Sequence, residues 1–379
     1  MNLGSAGLLG LTFSSPGEFV FRFPPETPLV GGLGLRWYGL LMAIAVLLGL
    51  LLTKALAEAR HLEKEPGEAS ERVEILALWL VVSGFLGARL YYVLTHWSEF
   101  QDNPLLAFAI WRGGIIIHGG ILAGALALYL YCRATGINGW KYADVITPGL
   151  ILGQAIGRWG NFFNSEAYGA PIPPDSSWPL RVYIPPQARE PDYSQFEFFH
   201  PIFFYESLLN LLLFALLMGM FWRFPKLKDG TWVWTYVVGY SLIRIPYEIL
   251  RVSAVAYLPG TSIKAAYVAS AVGLVLGIGM LVYLYRLRFD PDLEQVTAWL
   301  AQQAGLEQET AAELVQRAWA IQQKHRRADL LDRVTLAMPH FPSALAPHLS
   351  LGQRELLMRQ LFCRLEGRDP AGEGLPQPS

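Results

Sequence analysis

Long apolar runs separated by short polar connections make up most of the first 290 residues. Seven of these runs are long enough to cross a bilayer, which takes roughly 17–25 residues in a helix. They lie at 38–57, 73–94, 114–132, 143–163, 201–222, 232–250 and 265–285, and glycines and Pro148 interrupt the third and fourth. The pattern predicts an all-α polytopic membrane protein with seven transmembrane helices.

The longest connection and the end of the chain follow different patterns. Residues 164–199 are rich in proline and aromatic side chains, which predicts an irregular outer loop region, and 179–184 fits a short strand. After Phe289, apolar residues recur at helical spacing in 292–304 and 310–337, with Gly305 ending the first helix. Residues 369–379 have a disordered composition. We therefore expect a membrane domain at 1–290 and a helical C-terminal extension at 291–379.

Composition agrees with a membrane location. Hydrophobic residues make up 53% of the 379 and charged residues only 16%, and 12 Trp with 17 Tyr are available for interfacial belts. The net charge of −1 averages a charged tail with an almost uncharged body, so it indicates no partner. The two cysteines, Cys132 and Cys363, do not form a disulfide framework, and we expect no removable signal peptide.

Basic residues concentrate in alternate connections, which predicts the orientation of the chain. The basic residues of these connections are Lys54, Arg60, Lys64 and Arg72, then Arg133 and Lys141, then Arg223, Lys226 and Lys228, and finally Arg286 and Arg288. Since cytoplasmic loops carry the excess of Lys and Arg, the N-terminus is expected outside and the C-terminus in the cytoplasm. Arg112, Arg181, Arg189 and Arg251 on the other side reduce the bias without reversing it.

A polar stretch at 157–169 follows the fourth apolar run directly. It contains Arg158, Asn161, Asn164 and Glu166 at or near the predicted boundary of the bilayer. Such groups are costly to desolvate and persist where they pair with one another or meet a polar ligand. A cation flanked by amides and backed by a carboxylate indicates an anionic partner that is partly lipid, such as a phospholipid headgroup.

Other polar residues inside the apolar body have competing interpretations. Arg89 is either functional or extends to the nearer interface. His118 lies among glycines and is either a structural hydrogen-bonder or a chemical group, and no metal-ligand spacing surrounds it, so we expect no metal site. The neighbouring glycines leave backbone N–H groups suited to a phosphate. Arg244, Glu248 and Arg251 share one helix face, which is either a structural ion pair or an anion site.

Six short motifs follow one another along the membrane body. They are Arg36-Trp37-Tyr38-Gly39-Leu40, Gly87-Ala88-Arg89, His118-Gly119-Gly120, the stretch 157–169, His200-Pro201 with Tyr205-Glu206, and Arg244 with Glu248 and Arg251. The fourth motif reads G-R-x-G-N-F-x-N-x-E-x-x-G. In content and order the motifs resemble those of the prolipoprotein diacylglyceryl transferase family, over residues from about 30 to 290.

The resemblance implies a seven-helix enzyme of the bacterial plasma (inner) membrane, and we expect no cofactor. Such enzymes move the sn-1,2-diacylglyceryl group from phosphatidylglycerol to the lipobox cysteine thiol of a prolipoprotein signal peptide. The reaction forms a thioether, releases glycerol phosphate and begins the maturation of bacterial lipoproteins. The expected partners are therefore phosphatidylglycerol, the prolipoprotein and membrane lipids, and no nucleic acid.

The family pattern also marks the residues expected to form the site. We assign catalysis to Tyr38, His118, Arg158 and Arg244, and phosphatidylglycerol binding to Arg158, Asn161, Glu166, Gly169, Arg244 and Glu248. Arginine suits a phosphate that gains charge, because its planar fork binds two oxygens at once. The attacking thiol, with a free pKa of about 8.5, has to lose its proton. His118 is the expected base, and an arginine or glutamate acting through water is the alternative.

Two features depart from the family pattern, and two other classes of protein compete with it. Arg112 stands where many relatives carry an acidic or neutral residue, and the last 90 or so residues go beyond the usual family C-terminus. A transporter would show repeated halves with matching interrupted helices, which the chain does not show. An intramembrane protease would show a catalytic motif such as G-x-S-x-G, H-E-x-x-H or paired aspartates, and none occurs.

Overall fold

The computed structural model describes residues 11–24, 34–63, 65–109, 114–258, 260–287, 291–324, 329–341, 349–368 and 370. The chain divides into two compact units, Met1–Leu281 and Val282–Ser379. The predicted site residues all belong to the first unit. Arg112 and Gly113, and all of 369–379 except Pro370, lie outside the described residues.

Long helices dominate the first unit. They are α1 (Trp37–Ala59), α2 (Glu68–Thr95), α3 (Ile117–Thr135), α4 (Gly139–Phe163), α5 (Ile202–Arg223), α6 (Thr231–Leu250) and α7 (Ala265–Val282). Within the described residues, five of them are long and apolar enough to cross a membrane: α1, α2, α3, α5, and α7 with its continuation to Arg286. The protein is therefore a mostly helical, multi-pass membrane protein. Helices α4 and α6, which carry most of the polar site residues, are not among the five.

The first unit is not wholly helical, which corrects the all-α prediction. Its strands are β1 (Leu11–Ser14), β2 (Phe19–Arg22), β3 (Gly34–Arg36), β4 (Leu180–Tyr183) and β5 (Phe198–Phe199). Strand β4 lies between a parallel β1 and an antiparallel β5, and β2 pairs antiparallel with β3. Of these strands, only β4 was expected from the sequence. The sequence of β2 suits a strand, because Phe19 and Phe21 alternate along it and aromatic residues fit a pleated surface.

Helices α4 and α6 are joined by a buried carboxylate. Asp144, one turn into α4, accepts hydrogen bonds from the backbone N–H groups of Gly230 at 2.6 Å and Val233 at 3.1 Å. The first N–H groups of a helix have no partner in their own helix, so a carboxylate placed there satisfies them and meets the positive end of the helix dipole. Asp144 therefore fixes the start of α6 against α4.

Glycines bring α2 and α3 into direct backbone contact. A Cβ atom added to Gly119 would lie 2.2 Å from the carbonyl oxygen of Gly87. Arg89, also in α2, donates to the carbonyl oxygens of Leu106, Ala107 and Gly114, each at 2.8 Å. Small residues allow such close approach between membrane helices. Arg89 therefore links α2 to residues that precede α3, and its guanidinium group binds backbone oxygens there.

The second unit is a small group of helices with its own apolar core. They are α8 (Leu293–Ala304), α9 (Gln308–Lys324), α10 (Leu330–Ala337) and α11 (Leu351–Leu365). The single helix predicted at 310–337 is wrong, because α9 ends at Lys324 and α10 begins at Leu330 after Asp329, whose backbone is extended. Burial alone would raise the pKa of Glu366. Hydrogen bonds from Gln322, Arg333 and Arg368 outweigh burial and lower that pKa.

The glycine contact between α2 and α3 predicts a position-specific loss of stability. Gly119→Ala forces the two helices apart, and we expect a cost of about 1–3 kcal/mol in the free energy of unfolding. Thermal unfolding of the purified protein in detergent measures it. Gly124→Ala is the matched control, because it lies in the same helix and its Cβ would have no neighbour within 4 Å. Equal effects of the two substitutions would contradict the close-contact account.

Candidate active site

The candidate site lies where α4, α5 and α6 meet. Helix α5 has a buried stripe at helical spacing that begins with Glu206 and Asn210 and continues with Leu213 and Leu217. Apolar residues are ordinary on such a stripe, whereas a carboxylate with no exposed surface is not. A buried charge persists only where it is paired and hydrogen-bonded. Glu206 therefore identifies this level of the helices as a polar centre.

Two arginines from different helices share the Glu206 carboxylate. Arg158 of α4 places Nε 3.0 Å from Glu206 Oε2, and Arg244 of α6 places Nη1 3.5 Å from the same oxygen. The side chains of Arg158 and Arg244 are 20% and 15% accessible, although Arg244 Nη1 itself is buried. The carboxylate is therefore fully enclosed, whereas the two arginine side chains are only partly so.

The charge network continues along α6 toward its C-terminal end. Glu248 Oε2 lies 2.8 Å from Arg244 Nη2 and 3.7 Å from Arg251 Nη1. Lys264 donates to the backbone carbonyl oxygens of Glu248 at 2.6 Å and Arg251 at 2.8 Å. The ion pairs join three arginines to two carboxylates, and Lys264 adds a further cation beside them, so positive charge exceeds negative charge within these contacts. An anion is the ligand that would balance it.

Tyrosines of α6 complete the enclosure of the arginines. The Tyr240 hydroxyl donates to Glu206 Oε1 at 3.2 Å and accepts from Arg158 Nη2 at 3.5 Å. The Tyr247 ring lies beneath both guanidinium groups, 5.5 Å from Arg158 Cζ and 4.4 Å from Arg244 Cζ. Cations are attracted to aromatic faces, and more so where water is excluded. The two arginines are therefore held in place before any ligand arrives.

A third carboxylate, Glu166, binds the amides at the end of α4. Its Oε1 accepts from Asn161 Nδ2 at 3.0 Å and from Asn164 Nδ2 at 3.1 Å. Asn161 Oδ1 in turn lies 3.4 Å from Arg158 Nη1. The flanking residues Ser165 and Ala167 have positive φ values of 55° and 52°, which are uncommon for residues other than glycine. The turn that presents Glu166 to the amides is thus a strained backbone held by its contacts.

Tyr38 and Gly169 reach this region in different ways. The Tyr38 ring packs on Gly160, where an added Cβ would lie 2.4 Å from the ring, so α1 approaches α4 closely beside Arg158. Gly169 binds through its backbone: its N–H donates to His200 O at 3.0 Å, and it forms a bridge with Arg251. An added Cβ there would lie 2.7 Å from Ile202 Cγ2. Burial lowers the pKa of His200. Gly169 thus joins the segment after α4 to the ends of α5 and α6.

His118 is not brought to the arginine cluster. It is exposed in the first turn of α3, where its ring lies 6.4 Å from that of Tyr91 in α2. The adjacent Gly119 packs against α2, and its N–H donates to Ile116 O at 3.1 Å. The expectation that this glycine offers its N–H to a phosphate is therefore wrong. In the described part of the chain, no hydrogen bond or ion pair connects His118 with Arg158, Glu206 or Arg244.

Several central residues were not among the site residues assigned from the sequence. Glu206 was named only within one of the six motifs, with no role assigned to it, and Tyr240 and Tyr247 were not singled out. Their signal was present, since Tyr240, Arg244 and Tyr247 recur at spacings of four and three on one face of α6. Asn210 lies four residues after Glu206 in a mostly apolar helix, so its spacing places it on the same helix face as Glu206.

The helices and this cluster define a multi-pass membrane protein with a part-buried cationic site. The family model described as prolipoprotein diacylglyceryl transferase matches residues 27–283. Relatives named phosphatidylglycerol–prolipoprotein diacylglyceryl transferase include one from Trichormus variabilis, 43% identical over 75% of this chain and 96% of its own length. Those from Acaryochloris marina and Parasynechococcus marenigrum are 42% and 46% identical, over 75% and 70% of this chain and 97% and 92% of their own lengths.

The chain therefore belongs to the prolipoprotein diacylglyceryl transferase family, which confirms the resemblance inferred from its motifs. The matched region contains every predicted site residue. Most of the second compact unit, which begins at Val282, lies beyond the family match.

The geometry at Arg158 predicts that charge alone does not suffice. Arg158→Lys should lose on the order of 10²–10³ in activity, about 2.7–4 kcal/mol, because lysine cannot bind Glu206, Asn161 and a ligand at once. Arg72→Lys is the matched control, since Arg72 pairs with Glu63 and Glu68 away from the cluster. The measurement is the transferase activity of each purified variant, and thermal unfolding checks that each variant is folded. Near wild-type activity of Arg158→Lys would show that Arg158 acts as a point charge.

Proposed function

We propose that this protein transfers the sn-1,2-diacylglyceryl group from phosphatidylglycerol to the lipobox cysteine thiol of prolipoproteins. The cysteine sulfur attacks the terminal glyceryl carbon, a C–S bond forms and the C–O bond to phosphate breaks. The products are a thioether and glycerol phosphate, and the thiol proton is lost to a base. The observation that carries the proposal is the buried Glu206 shared by Arg158 and Arg244, with its surplus positive charge.

The arginine cluster suits the charge that the reaction develops. As the C–O bond breaks, negative charge grows on the phosphate oxygens of the leaving group. Arg158 and Arg244 would bind those oxygens through their forks, and donors already in position stabilise such charge without reorganisation. Asn161 would hold a phosphate or glycerol oxygen, and Glu166 and Glu248 would orient the amides and Arg244. Gly169 would contribute by keeping the backbone around this site in place.

Two further residues are proposed on the strength of the family pattern. Tyr38 packs against the turn of α4 that follows Arg158, which would place it beside the reacting lipid. His118 remains the proposed base, with a titratable ring exposed at the start of α3. Because His118 lies apart from the arginines, it would act on the thiol of the incoming peptide while the arginines act on the phosphate.

The proposed membrane arrangement has seven spans. Helices α4 and α6 contain 25 and 20 residues, enough to cross a bilayer, and a polar site between them explains their lower apolar content. The protein would lie in the bacterial inner membrane. The positively charged connections support an N-terminus outside and a C-terminus in the cytoplasm. Residues 164–199 would then form an outer loop region, and 291–379 a cytoplasmic extension of the 1–290 membrane domain.

Product analysis with the purified full chain tests the proposal. With phosphatidylglycerol and a lipobox peptide, we expect the peptide to gain a whole diacylglyceryl unit that resists neutral hydroxylamine, with one equivalent of glycerol phosphate. A peptide with serine in place of the cysteine is the control and should remain unmodified. A hydroxylamine-sensitive product, or a lysophospholipid in place of glycerol phosphate, would instead show acyl transfer to the thiol.

A further inference from the structure

A second polar level lies one helical turn below the arginine cluster. Gln154 precedes Arg158 by four residues on α4, Asn210 follows Glu206 by four on α5, and Tyr236 precedes Tyr240 by four on α6. Four residues advance a helix by about 6 Å and return to the same face. Helices α4 and α6 run in the same direction, because Asp144, Gln154 and Arg158 contact successively later residues of α6. Helix α5 runs opposite to them, because Glu206 contacts Tyr240 whereas Leu217 contacts Trp232. The three side chains therefore lie at one depth.

Asn210 is the least explained polar group in the helices. It has no exposed surface, and neither its amide nitrogen nor its amide oxygen makes a hydrogen bond among the described residues. Gln154 donates to the Tyr236 hydroxyl at 2.8 Å, while its own Oε1 is buried and has no such bond. A buried amide without a partner costs about 1–3 kcal/mol. The unpartnered amide of Asn210 and the unpartnered oxygen of Gln154 point to a ligand that both donates and accepts hydrogen bonds.

The polar side chains around the enclosed Asn210 are partly accessible. Gln154, Tyr236 and Tyr240 keep part of their surface exposed, as do Arg158 and Arg244 above them. No carboxylate lies at this depth on the three helices, so a cationic headgroup would find no counter-charge here. Amides instead suit uncharged hydroxyl groups. The rise of about 6 Å is comparable with the reach of a three-carbon glycerol chain from its phosphate.

We propose that Asn210 and Gln154 bind the free hydroxyl groups at the end of the lipid headgroup, while the arginines hold its phosphate. The inference rests on the proposed function and extends it to headgroup selection. A headgroup without hydroxyls would leave the Asn210 amide and the Gln154 amide oxygen unpartnered in the complex. A site that hydrogen-bonds a substrate hydroxyl rejects the analogue lacking it far more strongly than an apolar pocket could.

The test compares phosphatidylglycerol with phosphatidylpropanol, which has the same phosphate and carbon chain but no headgroup hydroxyl. The wild-type protein should prefer phosphatidylglycerol by about tenfold or more in kcat/KM. Asn210→Leu should lower kcat/KM for phosphatidylglycerol about tenfold or more and change that for phosphatidylpropanol less than about threefold. Gln154→Met, a second variant, should shift the preference in the same direction.

Thr147→Val is the matched control. Thr147 is buried in α4, and its hydroxyl donates to Ala143 of its own helix at 2.8 Å, so the substitution should leave the lipid preference unchanged. Thermal unfolding of each variant reports on folding. Equal use of both lipids by the wild type, or equal losses with both lipids in Asn210→Leu and Gln154→Met, would overturn the inference and leave the proposed function intact. Transfer from neither lipid would overturn both.

Discussion

Burial of the Glu206 carboxylate is the constraint on which the site depends. A carboxylate with no exposed surface has to be neutralised, and Arg158 and Arg244 do so from two different helices. Removing one partner of such a group typically costs about 3–5 kcal/mol in the free energy of unfolding. This is a large share of the total stability of a typical protein. The same pairing that holds α4, α5 and α6 together also brings two guanidinium groups to one place.

The surrounding fold maintains this geometry through contacts that involve no ligand. Asp144 fixes the start of α6 on α4, and the Tyr38 ring fits only because position 160 is glycine. Arg89, also charged and buried, donates to three backbone carbonyl oxygens. The difference between Arg89 and Arg158 is one of partners: neutral backbone oxygens in the first case, and a shared carboxylate with surplus positive charge in the second.

The sequence predicted the helices well because apolar length and spacing depend on local information. It also marked Arg158 and Arg244, since charges in apolar runs are costly. Their convergence on Glu206 was not predictable, because it depends on how three distant helices rotate about their axes. The separation of His118 from the cluster has the same cause. The short strands were missed because their pairing, as between β1 and β4, joins segments far apart in sequence.

Glu206→Gln is the most direct test of the central role of this carboxylate, because the amide keeps the shape and removes the charge that Arg158 and Arg244 share. We expect the transfer rate from phosphatidylglycerol to fall on the order of 10²-fold or more, since both arginines then lose the charged partner that they share. Thermal unfolding, measured alongside, establishes that the variant is folded. A folded Glu206→Gln protein with a near wild-type rate would contradict the account.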